Sequence, residues 1–354
     1  MDSDVAIIGA GLIGLSLARE LRRRGLRVLL FDAGPVGRQA SWAGAGMLAA
    51  RQTADPLLRP LAIASARLYP SWVRELERET GLSAGYRSTG TLFLASPGHP
   101  APNPMLAGWE KLAAAQVAEL EPALVCNGCQ VWRIPADGSV DNRALTAALA
   151  ASARTRGVDI VEQSPVAAVV PGAGGLGIEA AGQHWQAAVV VNAAGAWASQ
   201  ITAPVPVAVR PRKGQMLCLR GGACLRHVIE ADGVYLVPRA QGRTVVGATL
   251  EDCGFAPGVD AACISGLHRR ALDVVPALAP AEIEESWCGF RPCSTDERPI
   301  LGPTACPGYW LAAGHFRDGI LLTPITAKIL ASAIATGHMT RALDLAPFLP
   351  QRFV

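Results

Sequence analysis

The stretch Val5-Ala-Ile-Ile-Gly-Ala-Gly-Leu-Ile-Gly-Leu-Ser-Leu-Ala-Arg-Glu-Leu-Arg-Arg-Arg-Gly-Leu-Arg-Val-Leu-Leu-Phe-Asp32 decides the reading of the fold. Val5 to Ile8 is an all-apolar run, the pattern of a strand buried on both faces of a parallel sheet. Gly9, Gly11 and Gly14 follow at GxGxxG spacing. A helical stretch, Leu15 to Arg24, then stops at Gly25. A second apolar run, Val28 to Phe31, ends at Asp32, about twenty residues beyond the glycine turn. Strand, glycine turn, helix, strand and acid form the dinucleotide-binding fingerprint in its proper context. Gly9 allows the tight turn, Gly11 lets backbone approach a pyrophosphate, and Gly14 lets helix and strand pack closely. The helix N-terminus offers free N–H groups and a positive dipole end to phosphates. Asp32 is placed to accept hydrogen bonds from a ribose diol.

The chain does not run directly into another βαβ unit after Asp32. It enters a loop rich in glycine and alanine, Gly34 to Leu48, which includes Arg38, Ser41, Gly44, Gly46 and Met47. Small residues of this kind let backbone amides approach a large, flat ligand. An ordinary nicotinamide enzyme has no need of such a stretch, so a flavin is the expected occupant.

The 354 residues suggest roughly two domains at ~150 residues each. A hydrophobic fraction of 50% against 17% charged residues excludes a disordered chain. Lysines and arginines (32) against acids (29) leave +3, too balanced for a nucleic-acid surface. Nine cysteines at scattered spacings read as reduced thiols of a cytoplasmic protein. Cys126 and Cys129 have CxxC spacing, but no second pair accompanies them, and loop thiols are the simpler reading. No stretch reads as apolar over the ~20 residues a spanning helix needs. The best candidate, Val5 to Ala18, is broken by three glycines and lacks the basic flank of a signal peptide.

The remaining pattern predicts helices over Leu57–Glu79, Glu110–Leu120, Asp141–Arg156 and Pro324–Thr336, the last with Thr323 as N-cap. Strands are expected at 90–94, 158–161, 185–192 and 309–313. The span 97–104 is a proline-rich connection. Residues 205–292 carry β patterns at 215–219, 234–238 and 244–249, which suggests an antiparallel sheet. The fold class is therefore α/β, a Rossmann-like domain interleaved with an antiparallel-sheet α+β substrate domain. The first domain takes residues 1–85, 139–208 and 296–354; the second takes 86–138 and 209–295.

Six segments in this order carry a family resemblance: Ala6–Gly14, Ala40–Leu48, Tyr235–Arg239, Val245–Thr249, Gly289–Pro292 and Gly314–Leu322. Through them the chain resembles the D-amino-acid oxidase-like flavoproteins, in particular their glycine-oxidising branch, over almost its whole length. The resemblance implies non-covalent FAD, with Leu12, Ile13, Asp32 and Ala33 at the ADP half and Val166 near the adenine. Gly46, Met47 and Leu48 would lie along the isoalloxazine. His315, Phe316, Arg317, Asp318, Gly319, Ile320 and Leu321 would close over it, and Gly195 belongs to the same expected cofactor set. The family's substrate arginines map onto Arg291 and Arg317, and its active-site tyrosine onto Tyr235. Some relatives tether flavin through a cysteine; the spacing of Cys293 does not match theirs. The resemblance further implies a homotetramer, molecular oxygen as co-substrate and a place in thiamine biosynthesis.

The same residues make chemical sense. Oxidising an amino acid removes Cα–H as hydride to flavin N5, so the protein's main task is to hold Cα about 3–3.5 Å away. The substrate's carboxylate is the natural handle. A planar, permanently charged guanidinium at Arg291 can bind both its oxygens. Tyr235 can add a charge-assisted hydrogen bond of roughly 1.5–3 kcal/mol. Arg317 either steers the carboxylate or stabilises charge on the reduced flavin, and the plainer reading is a salt bridge to Asp318 or Glu297. The turn at Gly319 opens a helix whose N–H groups are expected to face the flavin pyrimidine. The leading expectation is oxidation of glycine, sarcosine or small D-amino acids to imine, then glyoxylate, with peroxide formed. A D-amino- or imino-acid dehydrogenase feeding a quinone is the nearest rival. A flavoprotein module of a tRNA-modifying enzyme is the rival of another class. Leu250 leaves the bulk of the pocket open at this stage.

Overall fold

The computed structural model describes residues 2–50, 53, 55–97, 108–126 and 128–353. Most of the expected proline-rich connection, 98–104, lies outside them. Among the described residues there are two eight-stranded sheets and one two-stranded pair.

The first sheet runs Ile300–Pro303, Tyr309–Ala313, Gln183–Asn192, Ser3–Ile8, Val28–Phe31, Asp159–Val161. All neighbours are parallel except the first two. Strand residues alternate faces, which explains why Val5–Ile8 had to be apolar throughout. Val5, Ile7, Val28 and Leu30 pack into a helical layer formed by Leu12–Arg23, Arg59–Thr80, Asn142–Thr155 and Gly319–Thr336. Ala6, Ile8, Leu29 and Phe31 face the hairpin Val166–Gly172/Gly175–Ala180 on the other side. Helix ends obey local rules: Asp141 caps Asn142–Thr155 by accepting from the N–H groups of Arg143 and Ala144, each at 3.0 Å. Gly81, at φ 70°, closes Arg59–Thr80.

The second sheet runs Glu282–Ser294, Val209–Arg220, Arg243–Gly247, Val234–Pro238, Val228–Ala231, Thr91–Ala95, Gln130–Ile134, Glu110–Leu112. It is antiparallel except where Val228–Ala231 meets Thr91–Ala95. Helix Ala261–Val274, which the β-rich reading of this region did not foresee, covers one face with Ile264, Leu267 and Ala271. The opposite face looks into the cavity described below.

Two helix readings need correction. Glu110–Leu120 is not one helix: Glu110–Leu112 joins the sheet edge and only Ala114–Leu120 is helical. The last helix begins at Gly319, not at Pro324, with Asp318 as N-cap. Proline inside a helix removes one N–H and crowds the carbonyl four residues back. Here that carbonyl belongs to Ile320, and it accepts the Tyr69 hydroxyl instead; the Ser65 hydroxyl donates to Leu321 O at 2.6 Å. A neighbouring helix thus supplies the bond that Pro324 cannot make. Burial pushes the Tyr69 phenol well above its ordinary pKa, so it stays a donor. Gly319–Thr336 is also long and apolar enough to cross a membrane by length and composition, contrary to the sequence reading. Eleven of its eighteen residues are buried inside this protein.

Candidate active site

Between the two sheets lies a cavity of about 1130 Å³ that runs from Asp32 and Val166 at one end to Tyr235 and Arg291 at the other. Its first end is the glycine turn. Gly9 has φ 105°, and a Cβ there would stand 2.4 Å from Ala193 O. A Cβ on Gly14 would stand 1.9 Å from Gly9 O. These glycines are required for packing before any ligand is considered. Asp32 accepts from Ala10 N at 2.7 Å and Gly34 N at 2.9 Å, which ties the turn to the strand end. Burial raises its pKa, against those two bonds, which lower it. A carboxylate has about four acceptor positions, so room for ribose hydroxyls remains.

The small-residue loop forms the middle of the cavity wall. Gly46, at φ 73°, would place a Cβ 2.0 Å from Val140 O, and one on Gly44 would meet Ile320 Cδ1 at 2.7 Å. Gly289 packs as closely on Ala43, whose carbonyl accepts Trp287 Nε1 at 3.0 Å. Smallness therefore serves the fit of loop to strand and helix as well as the approach of a flat ligand. Two residues with no role in the sequence reading hold this loop. Arg239 donates to Ala45 O at 2.6 Å and Asn142 Oδ1 at 3.2 Å. Asn142 in turn donates to Ser41 O at 2.7 Å and Trp42 O at 2.9 Å. Burial lowers the Arg239 pKa to about 10. The signal was present in Tyr235–Arg239, a strand ending in an arginine where the chain turns.

At the far end the second sheet presents one row of residues. Met216 pairs with Gly247, and Gly247 with Tyr235. A Cβ on Gly247 would stand 2.5 Å from the Tyr235 ring, so the phenol lies across that glycine. Two residues along the neighbouring strand, a Cβ on Gly214 would stand 2.2 Å from Arg291 Nη1. The guanidinium thus lies across Gly214, donating to Lys213 O at 3.3 Å and Thr249 O at 3.2 Å. Among the described residues no carboxylate forms a salt bridge with it. Tyr235 is pushed upward in pKa by burial, against the opposing charges of Arg291 and Arg317. Its hydroxyl lies 3.9 Å from Met216 Sδ.

The closing segment is tied to the Arg291 strand: Phe316, at φ 47°, donates its N–H to Pro292 O at 2.7 Å. His315 is buried with Nε2 3.2 Å from Thr326 Oγ1, and burial lowers its pKa to about 3, so it is neutral. Asp318 is raised to about 6 by burial, despite Arg317. Arg317 packs over the Phe316 ring at 5.1 Å and, among the described residues, forms no salt bridge with Asp318 or Glu297.

The cavity wall gathers Gly9, Gly11, Leu12, Ile13, Asp32, Ala33, Ser41, Gly46, Met47, Val166, Gly195, Tyr235, Arg291 and the run His315–Ile320. Gly14, Leu48 and Leu321 pack behind the wall, and Arg38 is exposed beside Trp42 at 6.0 Å. Cys293 is buried outside the wall, with Sγ 3.3 Å from Ser294 O. All nine cysteines are free. Cys126 and Cys129 share a turn far from the cavity, closed by Cys129 N to Cys126 O at 2.6 Å. No metal-binding cluster of His, Cys, Asp or Glu occurs among the described residues.

The family described as FAD dependent oxidoreductase matches residues 4–333. The chain belongs to this family. It is 37% identical to the bifunctional protein ThiO/ThiG of Nostoc sp., over 94% of this chain and 53% of that one. It therefore spans about half the length of the bifunctional relatives it matches. It is 35% identical to glycine oxidase of Geobacillus kaustophilus, over 99% of this chain and 97% of the relative. The crystal structure of glycine oxidase from that organism superposes with a TM-score of 0.91, covering 98% of both chains at 34% identity. FAD is thus the group the cavity has to hold, and its geometry fits. The glycine turn and Asp32 suit an ADP half, and the loop Ala43–Met47 together with Gly319 and Ile320 leaves room for a broad ring system.

Proposed function

We propose that this protein is an FAD-dependent oxidase of glycine, acting also on sarcosine or small D-amino acids. The products are the imine, hydrolysed to glyoxylate and ammonia, and hydrogen peroxide, in the service of thiamine biosynthesis. One observation carries the reading: a guanidinium without a carboxylate partner among the described residues, laid flat inside a cavity beside a phenol. A positive group so placed is built for a ligand's carboxylate.

The residues divide the work as follows. Gly9, Gly11, Leu12, Ile13, Asp32, Ala33 and Val166 hold the ADP half; Ser41, Gly46, Met47 and His315–Ile320 surround the ring. Bound FAD supplies the hydride acceptor, which oxygen restores. Arg291 binds the substrate carboxylate through the nitrogens its two backbone carbonyls leave free. Tyr235 donates a proton in a second hydrogen bond to the same group, and its raised pKa keeps that proton in place. Arg317 adds positive charge to the same space. The first turn of Gly319–Thr336 presents its N–H groups there, favouring negative charge. Neutral His315 positions the closing segment through Thr326 and moves no proton. Electron delivery to oxygen, rather than a quinone, follows the glycine oxidase relatives.

The test is peroxide formation by the purified yellow protein with glycine, sarcosine, D-alanine and D-proline. Arg291→Lys is expected to lower kcat/KM for glycine about a hundredfold, since an ammonium cannot reproduce the two-pronged bond. No peroxide from any of the four would overturn the oxidase reading; an unchanged kcat/KM in the variant would overturn the clamp. The reading extends to a cytoplasmic homo-oligomer, a tetramer by family pattern. Nine free thiols suit a reducing compartment, and size-exclusion chromatography with light scattering checks the assembly.

A further inference from the structure

The guanidinium of Arg291 is aimed by two carbonyls that belong to different segments. Lys213 O lies on strand Val209–Arg220; Thr249 O lies on the irregular strap, residues 248–260, that follows strand Arg243–Gly247. Arg291 therefore keeps its direction only while the strap keeps its place against the strand. Backbone bonds make part of that join: Lys213 N donates to Glu251 O at 3.0 Å, Glu251 N to Lys213 O at 2.9 Å and Thr249 N to Gln215 O at 3.3 Å. Lys213 O thus accepts from both Glu251 N and Arg291 Nη1.

The Glu251 side chain makes the rest. Its Oε1 accepts from Gln215 Nε2 at 2.9 Å and from the Thr249 hydroxyl. That hydroxyl in turn accepts from Gln215 N at 2.8 Å, so a carboxylate oxygen, a hydroxyl and the buried Gln215 form a closed ring of bonds. Gln215 Oε1 accepts from Asp260 N at 2.6 Å, which orients the amide and fixes the strap's other end. The second carboxylate oxygen stands 4.0 Å from Lys213 Nζ, on a side chain only 8% exposed, where an ammonium requires a counter-charge. Bonds to an ionised acceptor are roughly twice as strong as neutral ones. Ala248, Thr249 and Leu250 line the cavity, whereas Glu251 stands outside its wall.

We propose that Glu251 is a positioning residue for substrate binding: it buckles the strap to the strand and so holds the Thr249 and Lys213 carbonyls where they aim Arg291 into the cavity. Glu251 has this role only if Arg291 is the carboxylate clamp of the proposed oxidase. It moves no proton; its effect reaches the reaction through the direction of one guanidinium. A clamp shifted by about 1 Å costs on the order of a hundredfold in rate, and a strap still held by its backbone bonds shifts less, so a loss of about tenfold is expected.

The experiment is a double-mutant cycle on the FAD-loaded protein with Glu251→Ala and Arg291→Lys. The readouts are kcat/KM for glycine and the Kd of acetate, a carboxylate without an amine, followed by the change in flavin absorbance. Glu251→Ala alone is expected to lower kcat/KM about tenfold and to raise the acetate Kd by a similar factor. In the Arg291→Lys background the same substitution should change either readout by less than about twofold, because the group it aims is gone. A general loss of fold or coenzyme would instead act alike in both backgrounds. Glu251→Gln keeps a neutral acceptor for Gln215 and Thr249 and should return kcat/KM to within about threefold of wild type. Equal losses in the two backgrounds, no rescue by glutamine, or a folded Glu251→Ala protein with unchanged acetate Kd would each overturn the proposal. If Glu251→Ala does not fold, Thr249→Val, which removes the shared hydroxyl, takes its place in the cycle and the same outcomes decide. If Arg291→Lys alone leaves both readouts unchanged, the clamp fails and the positioning role with it; if Arg291→Lys is impaired and Glu251→Ala is not, only the positioning role fails. If glycine is not oxidised, the oxidase reading fails while the acetate series still decides the role of Glu251.

Discussion

Gly214→Ala is the most direct probe of the site because it adds one methyl group and nothing else. Gly214 lies inside strand Val209–Arg220, opposite Gly289. The new Cβ would stand 2.2 Å from Arg291 Nη1 and 2.6 Å from Cζ and Nη2. Ordinary contact begins near 3.4 Å, so the guanidinium must retreat by 3.4 − 2.2 = 1.2 Å. The obstacle is the end of a flexible side chain, so the fold gives way easily there. Alanine is also better suited than glycine to a strand, by roughly 0.5–1 kcal/mol. A carboxylate clamp displaced by about 1 Å costs on the order of a hundredfold in rate, or about 2.7 kcal/mol of transition-state binding. The assay is steady-state peroxide formation with glycine, alongside flavin content and thermal unfolding. The expected result is kcat/KM down about a hundredfold with Tm and flavin content near wild type. A folded, yellow variant with kcat/KM within about threefold of wild type would refute the placement of Arg291 as the carboxylate holder.

Other perturbations read other parts of the structure. Tyr69→Phe leaves the Ile320 carbonyl without its donor beside Pro324, and should cost about 1–3 kcal/mol, seen as a lower urea midpoint. Arg239→Lys withdraws the planar Nη2 that donates to both Ala45 O and Asn142 Oδ1, and should weaken FAD binding about tenfold in a fluorescence titration. His315 is neutral in the fold down to about pH 3 but takes a proton at 6.5 when unfolded, so it lowers stability as pH falls across that window. Asp318 acts in the opposite sense: raised to about 6 from 3.8, it takes its proton first in the folded chain. Between pH 6 and 4, His315→Asn should therefore flatten the loss of stability and Asp318→Asn should steepen it, in denaturant melts at stepped pH.

Much of this was legible from residue order. The glycine turn, Asp32 and the buried runs at 5–8 and 28–31 could only be a parallel sheet with a nucleotide edge, because strict apolarity and a GxGxxG turn leave few alternatives. Arg291, Arg317 and Tyr235 were reached through family likeness rather than through spacing. Periodicity does not tell which residues of distant strands share a row. Gly214 and Gly247 escaped for that reason: each matters only through its neighbour across the sheet, and pairing register is not written locally. The last helix begins earlier than its pattern suggests because Pro324 looks like a first-turn residue, and the hydroxyl that permits it inside the helix comes from Tyr69, 251 residues before the Ile320 carbonyl that accepts it. The chain Glu110–Leu120 misled because its three-residue edge strand is polar and carries no alternation.

Helix Gly319–Thr336 joins the cavity to the oily centre of the nucleotide-binding half. Its first turn borders the coenzyme pocket, and its remaining turns are wedged between two other helices. That single rod cannot fray from the front without loosening the interior behind it, nor can the interior melt while the front stays ordered. Losing the yellow colour and losing the fold should consequently be the same transition, so that on slow heating the release of flavin fluorescence and the collapse of helical circular dichroism trace one curve.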